Sequence, residues 1–302
     1  MMKKFLISVS LILASLLANA KIPVYIMAGQ SNADGRALVS EMPTAIQDYV
    51  KNNGSELIMM SYCNGTTRKA LGEFERYVPM YESNNSKYCG FDAIVYNLIE
   101  TSTKKKFYVI KESKGGTAID TLCKSSASLY WNANPMWLKQ AGIADFNRTT
   151  KETNGKSLLL QLEANIDACI DNVLASEEDG YEIKCIMWHQ GESDRKKSEN
   201  YYENLKSLIA HLRQHIVEKT GDTKYANLPF IAGSVSRDSK QYNSLVEESK
   251  LRLANEDANV YVVDLNGCEL REDDNLHFNA SGCVEAGNRM FAKLVELGLV
   301  AD

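Results

Sequence analysis

The sequence predicts an α/β protein, a three-layer α/β/α sandwich built on a central, mainly parallel sheet. Three observations carry this. Short apolar runs alternate with segments patterned as helices along most of the chain. The runs are nearly continuous, which suits strands covered on both faces. No internal repeat or low-complexity linker divides them. Composition agrees: of 302 residues, 44% are hydrophobic and 24% charged, ordinary for a globular domain and far from the disordered class. The net charge of −5, with no long Lys/Arg run, argues against nucleic acid as a partner.

The first twenty residues read as separate from the fold. Lys3 and Lys4 precede an apolar run over 5–17, and Ala18-Asn19-Ala20 follows as a small-x-small site. This is the pattern of a secretory signal peptide cleaved after Ala20. Residues 21–302 are then expected to form one domain, secreted or periplasmic. No later stretch approaches eighteen consecutive apolar residues, so no membrane span is expected in the mature chain. The chain has seven cysteines, all after residue 20, an odd number with no C-x-x-C pair. In an exported protein some should pair. Cys268 and Cys283 are expected to do so, while Cys169 and Cys185 sit in apolar stretches and read as buried thiols.

Strands are expected at 22–29, 57–62, 107–111, 183–188, 229–235 and 260–265. Leu159, Leu162, Ile166, Cys169 and Val173 recur at helical spacing, as do Tyr202, Leu205, Ile209, Leu212 and Ile216. A last helix is expected over 283–297. The segment 124–155 has weak periodicity and holds Tyr130, Trp131, Asn132, Pro135 and Trp137. It reads as an insertion over one edge of the sheet.

Open α/β sheets bind ligands beyond the carboxyl ends of their strands, so the residues just after each strand matter most. The first strand ends in Gly29-Gln30-Ser31-Asn32. Ser31 there is a candidate nucleophile if a base activates it; taken alone, it also reads as a helix N-cap. After the third strand come Lys114-Gly115-Gly116-Thr117, whose bare backbone N–H groups suit an oxyanion or a plain turn. After the fourth comes Trp188-His189-Gln190-Gly191-Glu192-Ser193-Asp194, with a side-chain amide donor in Gln190. After the sixth comes Asp273-Asp274-Asn275-Leu276-His277, where an Asp three residues before a His can orient its ring.

In this order, GQSN, GGT, WHQGESD and DNLH resemble the blocks of the SGNH hydrolases. More narrowly, they are similar to carbohydrate esterase family six and the sialate O-acetylesterase-like branch. The resemblance runs from Ile22 to about Leu297 and implies a flavodoxin-like sandwich. It implies a triad of Ser31, His277 and Asp274, with Asp273 as the fallback orienter. It implies an oxyanion hole of the Ser31 N–H, Gly115 and the Gln190 side chain, with Gly116, Asn32 and Glu192 as supporting groups. The wider superfamily usually carries Asn where this chain has Gln190, which favours the narrower branch. The implied activity is hydrolysis of O-acetyl esters on carbohydrates, of acetylxylan or sialate type, without a cofactor.

Tyr130, Trp131 and Trp137 are candidate sugar-stacking surfaces, or else cover the sheet edge. Arg36 and Arg237 are candidates to hold an acidic sugar, although the acidic net charge argues mildly against anionic polymers. His211 and His215, four residues apart on one helix, could ligate a metal, but no third ligand is in view and a solvated helix face is preferred. Two alternatives stand: a non-catalytic carbohydrate-binding protein on the same fold, and an esterase or lipase of non-carbohydrate esters. An α/β-hydrolase is set aside, because here the serine follows the first strand and no His-Gly oxyanion loop precedes it. The α/β-hydrolase elbow places its serine after a late strand.

Overall fold

The computed structural model describes residues 20–63, 71–79, 87–146, 150 and 152–300. The segment read as a signal peptide lies outside these residues, save Ala20. Seven strands form the main sheet: β1 (Ile22–Gly29), β2 (Ile58–Cys63), β3 (Glu75–Arg76), β4 (Phe107–Ser113), β5 (Tyr181–His189), β6 (Phe230–Gly233) and β7 (Val260–Val263). Their order is β7-β6-β5-β1-β4-β2-β3. All neighbours pair in parallel except β3, which runs antiparallel to β2 at the edge. The three-layer α/β/α sandwich is therefore the observed fold. The six strands read from sequence fall within a few residues of their observed positions. The two-residue edge strand β3 has no sequence signal of its own.

β1 explains both halves of the core. Its residues alternate in direction, as side chains on a strand must. Val24, Ile26 and Ala28 face a layer that includes Leu159 and Leu162 of α5 (Leu158–Asn172) and Leu205 and Leu208 of α6 (Tyr201–Thr220). Tyr25 and Met27 face Val95 of α3 (Asp92–Thr103) and Met290 of α8 (Ala280–Glu296). Two helices join these layers without being named from periodicity: α2 (Thr44–Lys51) and α7 (Ser244–Glu256). α3 is a third, and its reason is visible: Asp92 through Tyr96 are all buried, so its first turn has no polar face to mark a stripe.

The chain leaves β1 for β2, returns to β4 beside β1, then crosses to β5 on the other side. The direction of winding thus switches at β1, where such sheets open a crevice. Register puts Gly29 level with Ser113 of β4 and His189 of β5, so three strand ends meet at one edge. Gly29 is obligatory here. Its φ is +145°, and an added Cβ would lie 2.2 Å from the His189 carbonyl oxygen.

The segment 124–155 does not merely overlie the sheet edge. Leu129, Trp131 and Leu138 of α4 (Pro135–Ala141) enter the core on the α5/α6 side, and Trp131 meets Trp188 edge-on at 5.1 Å. The expected Cys268–Cys283 disulfide is not formed. All seven cysteines are buried free thiols, and these two pack as small apolar groups in one core layer, Cys283 on the buried face of α8 and Cys268 in the loop before it. Burial pushes the Cys268 thiol up to about 11.

Candidate active site

The sequence turns sharply after β1. Gln30 leads into the one-turn helix α1 (Ser31–Asp34), with Ser31 at its first position and 8% exposed. Asp34 pins this turn, accepting from Tyr62 at 2.6 Å and from Arg36 at 2.7 Å. The loop after β4 brings Gly115 alongside: a Cβ on Gly115 would stand 3.4 Å from Ser31 Cβ and 2.5 Å from the Arg36 guanidinium.

The loop before α8 is wound around Asp274. One carboxylate oxygen accepts from the Leu276 N–H at 2.8 Å and the His277 N–H at 3.1 Å. The other accepts from His277 Nδ1 at 2.7 Å. Burial works to raise the Asp274 pKa, but these donors outweigh it and hold the carboxyl below its usual range. With Nδ1 engaged, Nε2 is the ring nitrogen left to the cleft. Asp273 is turned the other way, 65% exposed and paired with Arg271. Asn32 joins this loop to the β5 strand end. It donates to Leu276 O at 3.2 Å and Glu192 Oε1 at 3.1 Å, and accepts from the Phe278 N–H at 3.1 Å. Glu192 thus reaches the histidine loop through Asn32.

Ser31, Gly115, Gly116 and His277 line one cleft of about 680 Å³, though Ser31 and His277 are not hydrogen-bonded to each other. Gln30, Lys114, Lys124, Arg195 and Lys196 also line it, together with Arg36. Five of its walls are therefore Lys or Arg, and no Asp or Glu lines it among the described residues. The local charge is opposite in sign to the chain's.

Several sequence expectations need correction. Gln190 does not reach the cleft. It is wholly buried, and its amide NH₂ donates to Thr117 O at 3.0 Å and Asp194 Oδ2 at 2.5 Å. Two acceptors on that side fix which end is nitrogen, and Gln190 Oε1 accepts from Tyr201 at 3.1 Å. Asp194 is the centre of this knot. It also accepts from the Ile119 and Asp120 N–H groups at 3.0 and 2.8 Å. Burial raises Asp194 to about 6 against those donors. The glycine loop is thereby tied to the end of β5. Trp131 is fully buried and donates to Thr117 Oγ1, so no sugar can stack on it. Tyr130 and Trp137 pack against each other with centroids 6.1 Å apart and do not line the cleft. Arg237 is exposed and also outside it. His189 is enclosed by Phe91 and Phe278, and burial keeps its pKa below the ordinary value. His211 and His215 contact Glu163 at 2.8 Å and Asp167 at 2.9 Å, tying α6 to α5. Among the described residues no group of three His, Cys, Asp or Glu is arranged to hold a metal. Sequence reasoning passed over Gln30, Lys114, Lys124, Arg195 and Lys196. Gln30 adjoins the serine, Lys114 precedes the glycine pair, and Arg195 and Lys196 follow Asp194; only Lys124 lies apart from a strand-end block.

A parallel sheet with a serine turn after β1, a glycine turn after β4 and an Asp-x-x-His loop before the last helix defines an SGNH-type architecture. Residues 153–296 match the family described as carbohydrate esterase, sialic acid-specific acetylesterase. That bears out the resemblance read from the sequence. A probable carbohydrate esterase of Arabidopsis thaliana is 34% identical over 115 residues. The match covers 37% of this chain and 40% of that protein, so it spans about two fifths of the relative's length. The X-ray structure of the same Arabidopsis protein superposes with a TM-score of 0.60 at 19% identity, covering 91% of this chain and 98% of that one. NanS gives 0.59 at 11% identity, covering 92% and 98%. A carbohydrate acetylesterase from Xanthomonas citri gives 0.54 at 15% identity, covering 91% and 56%. At these identities the structural likeness is one of fold.

Proposed function

We propose that this protein is an exported serine esterase that removes O-acetyl groups from carbohydrates. The observation carrying the reading is the Asp274–His277 pair opening on the same cleft as Ser31 and Gly115. Ser31 Oγ attacks the acetyl carbonyl carbon while His277 Nε2 takes its proton. Asp274 holds the ring in the tautomer that leaves Nε2 basic, and stabilises the imidazolium. The Ser31 and Gly115 N–H groups face the charge that develops on the carbonyl oxygen. Collapse expels the sugar alcohol, which takes the proton from His277. Water then attacks the acetyl-serine with His277 again as base.

The cationic cleft favours an acidic sugar of the sialate type over a neutral acetylxylan, since lysine and arginine walls attract a substrate carboxylate. Export rests on the sequence of residues 1–20. No helix among the described residues is long and apolar enough to cross a membrane.

Acetate release from p-nitrophenyl acetate tests the chemistry. Wild type is expected to turn over and Ser31→Ala to fall by several orders of magnitude; equal inertness sinks the reading and leaves the carbohydrate-binding alternative. A panel of O-acetylated sialic acids, acetylated xylan and simple acetylated sugars then tests the substrate, with the acidic sugars expected to give the highest kcat/KM.

A further inference from the structure

The Gln190 amide, the expected side-chain donor of the oxyanion hole, is spent inside the protein. The site is therefore short of one donor, and the structure contains an amide suited to the role. Gln30, immediately before Ser31, is 1% exposed yet lines the cleft. Its Oε1 accepts from the Ser193 N–H at 3.2 Å. That partner can only donate, so the end facing Ser193 must be oxygen, and the NH₂ is directed away from it. Gln30 Nε2 makes no hydrogen bond among the described residues, whereas both ends of Gln190 are engaged. A nearly buried amide with its oxygen anchored and its nitrogen unengaged beside a candidate nucleophile is a preorganised donor. Its anchor, Ser193, adjoins Asp194, which ties the glycine loop to β5, so the donor moves with the rest of the site.

We propose that Gln30 is a catalytic residue that donates a hydrogen bond from Nε2 to the acyl oxyanion, and that Gln190 is a structural clamp. The inference rests on the esterase reading above. As the bond from Ser31 Oγ to the carbonyl carbon forms, the carbonyl π pair moves onto oxygen and the serine proton passes to His277. Gln30 Nε2–H binds that oxygen and loses no proton. When the tetrahedral species collapses, the alcohol leaves with the proton from His277, and the Gln30 hydrogen bond weakens to that of a neutral carbonyl.

The informative variant is Gln30→Glu, which keeps an oxygen for the Ser193 N–H and removes the donor. Gln30→Met removes both ends at similar volume. Assayed on p-nitrophenyl acetate at pH 8, each is expected to lose about 10²–10³-fold in kcat with KM changed less than threefold. The Ki of a boronic acid that mimics the tetrahedral species is expected to rise by a similar factor. As pH falls, the introduced carboxyl of Gln30→Glu protonates and becomes a donor, so its activity relative to wild type should rise. A merely structural role would not produce that trend. An active wild type with Gln30→Glu within threefold of its kcat overturns the proposal while leaving the esterase reading intact. A wild type no faster than Ser31→Ala overturns both. Should the variants fail to fold, wild-type NMR decides: a Gln30 side-chain amide proton should shift downfield when a phosphonate adduct forms on Ser31, and an unmoved resonance refutes the role.

Discussion

Asp274 and Asp273 are adjacent carboxylates with opposite fates. Asp274 is enclosed by the turn it organises and accepts from two backbone N–H groups and the His277 ring. Asp273 faces solvent and Arg271. Asp274→Asn should lower kcat by roughly 10²–10⁴-fold, because an amide donor facing Nδ1 favours the wrong tautomer. Asp273→Asn should stay within about threefold. Steady-state kinetics on one ester decides between them, and the reverse ranking would reassign the orienter. Because the folded-state pKa of Asp274 is depressed, its ionised form persists below the ordinary carboxylate range. Its stabilising contribution is present above the unfolded pKa and is lost only as pH falls through the lower folded value.

Among the elements, the end of β5 matters most, because the knot around Asp194 fixes the glycine loop and Gln190 together. Asp194→Ala would leave three buried donors without an acceptor. It should cost about 3 kcal/mol or more in urea unfolding and lower kcat as Gly115 drifts. The pH dependence has a definite sign. With its folded pKa raised to about 6, Asp194 stabilises most below its unfolded value of about 3.9, and that contribution is lost as pH rises through 6. The difference in unfolding free energy between wild type and Asp194→Asn should therefore shrink in wild type's disfavour from pH 4.5 to 7. A constant difference would show that Asp194 does not titrate there. At the end of β1, Gly29→Ala must displace the His189 carbonyl, so loss of both soluble yield and activity is expected.

Across the whole molecule, the charge near the site differs from the charge of the chain. A net −5 protein presents a cleft walled by Arg36, Lys114, Lys124, Arg195 and Lys196. Reversing Lys124 and Lys196 to Glu should raise KM roughly three- to tenfold for an acidic acetylated sugar, and much less for p-nitrophenyl acetate. Added salt should shrink the gap. Equal effects on both substrates would remove the electrostatic account. Elsewhere, Lys111 and Asp92 form a fully buried ion pair at 2.7 Å. Lys111→Met should cost about 3–5 kcal/mol in thermal or urea unfolding, because the carboxylate would stay buried without its cation.

The sequence by itself determined what depends on near neighbours along the chain. β1 is legible because both of its faces are covered, which writes an unbroken apolar run, and β5 because its buried second half does the same over 185–188. The Asp274–His277 contact is legible because it spans three residues of one turn. Ser31 is legible because Gly29 and the strand before it mark the turn. Tertiary structure alone decided what depends on distant segments meeting. Gln190 looks like a free donor until Thr117 and Asp194 arrive to occupy it, and Gln30 looks like a spacer until Ser193 anchors its oxygen. Trp131 reads as a sugar platform until Trp188 encloses it, and Cys268 and Cys283 read as a pair until burial in the core layer that holds α8 supplies another reason for their apolar setting. A side chain's hydrogen-bonding capacity is finite and buried space is filled once. Which groups remain free to act is therefore settled by packing, after local chemistry has proposed the candidates.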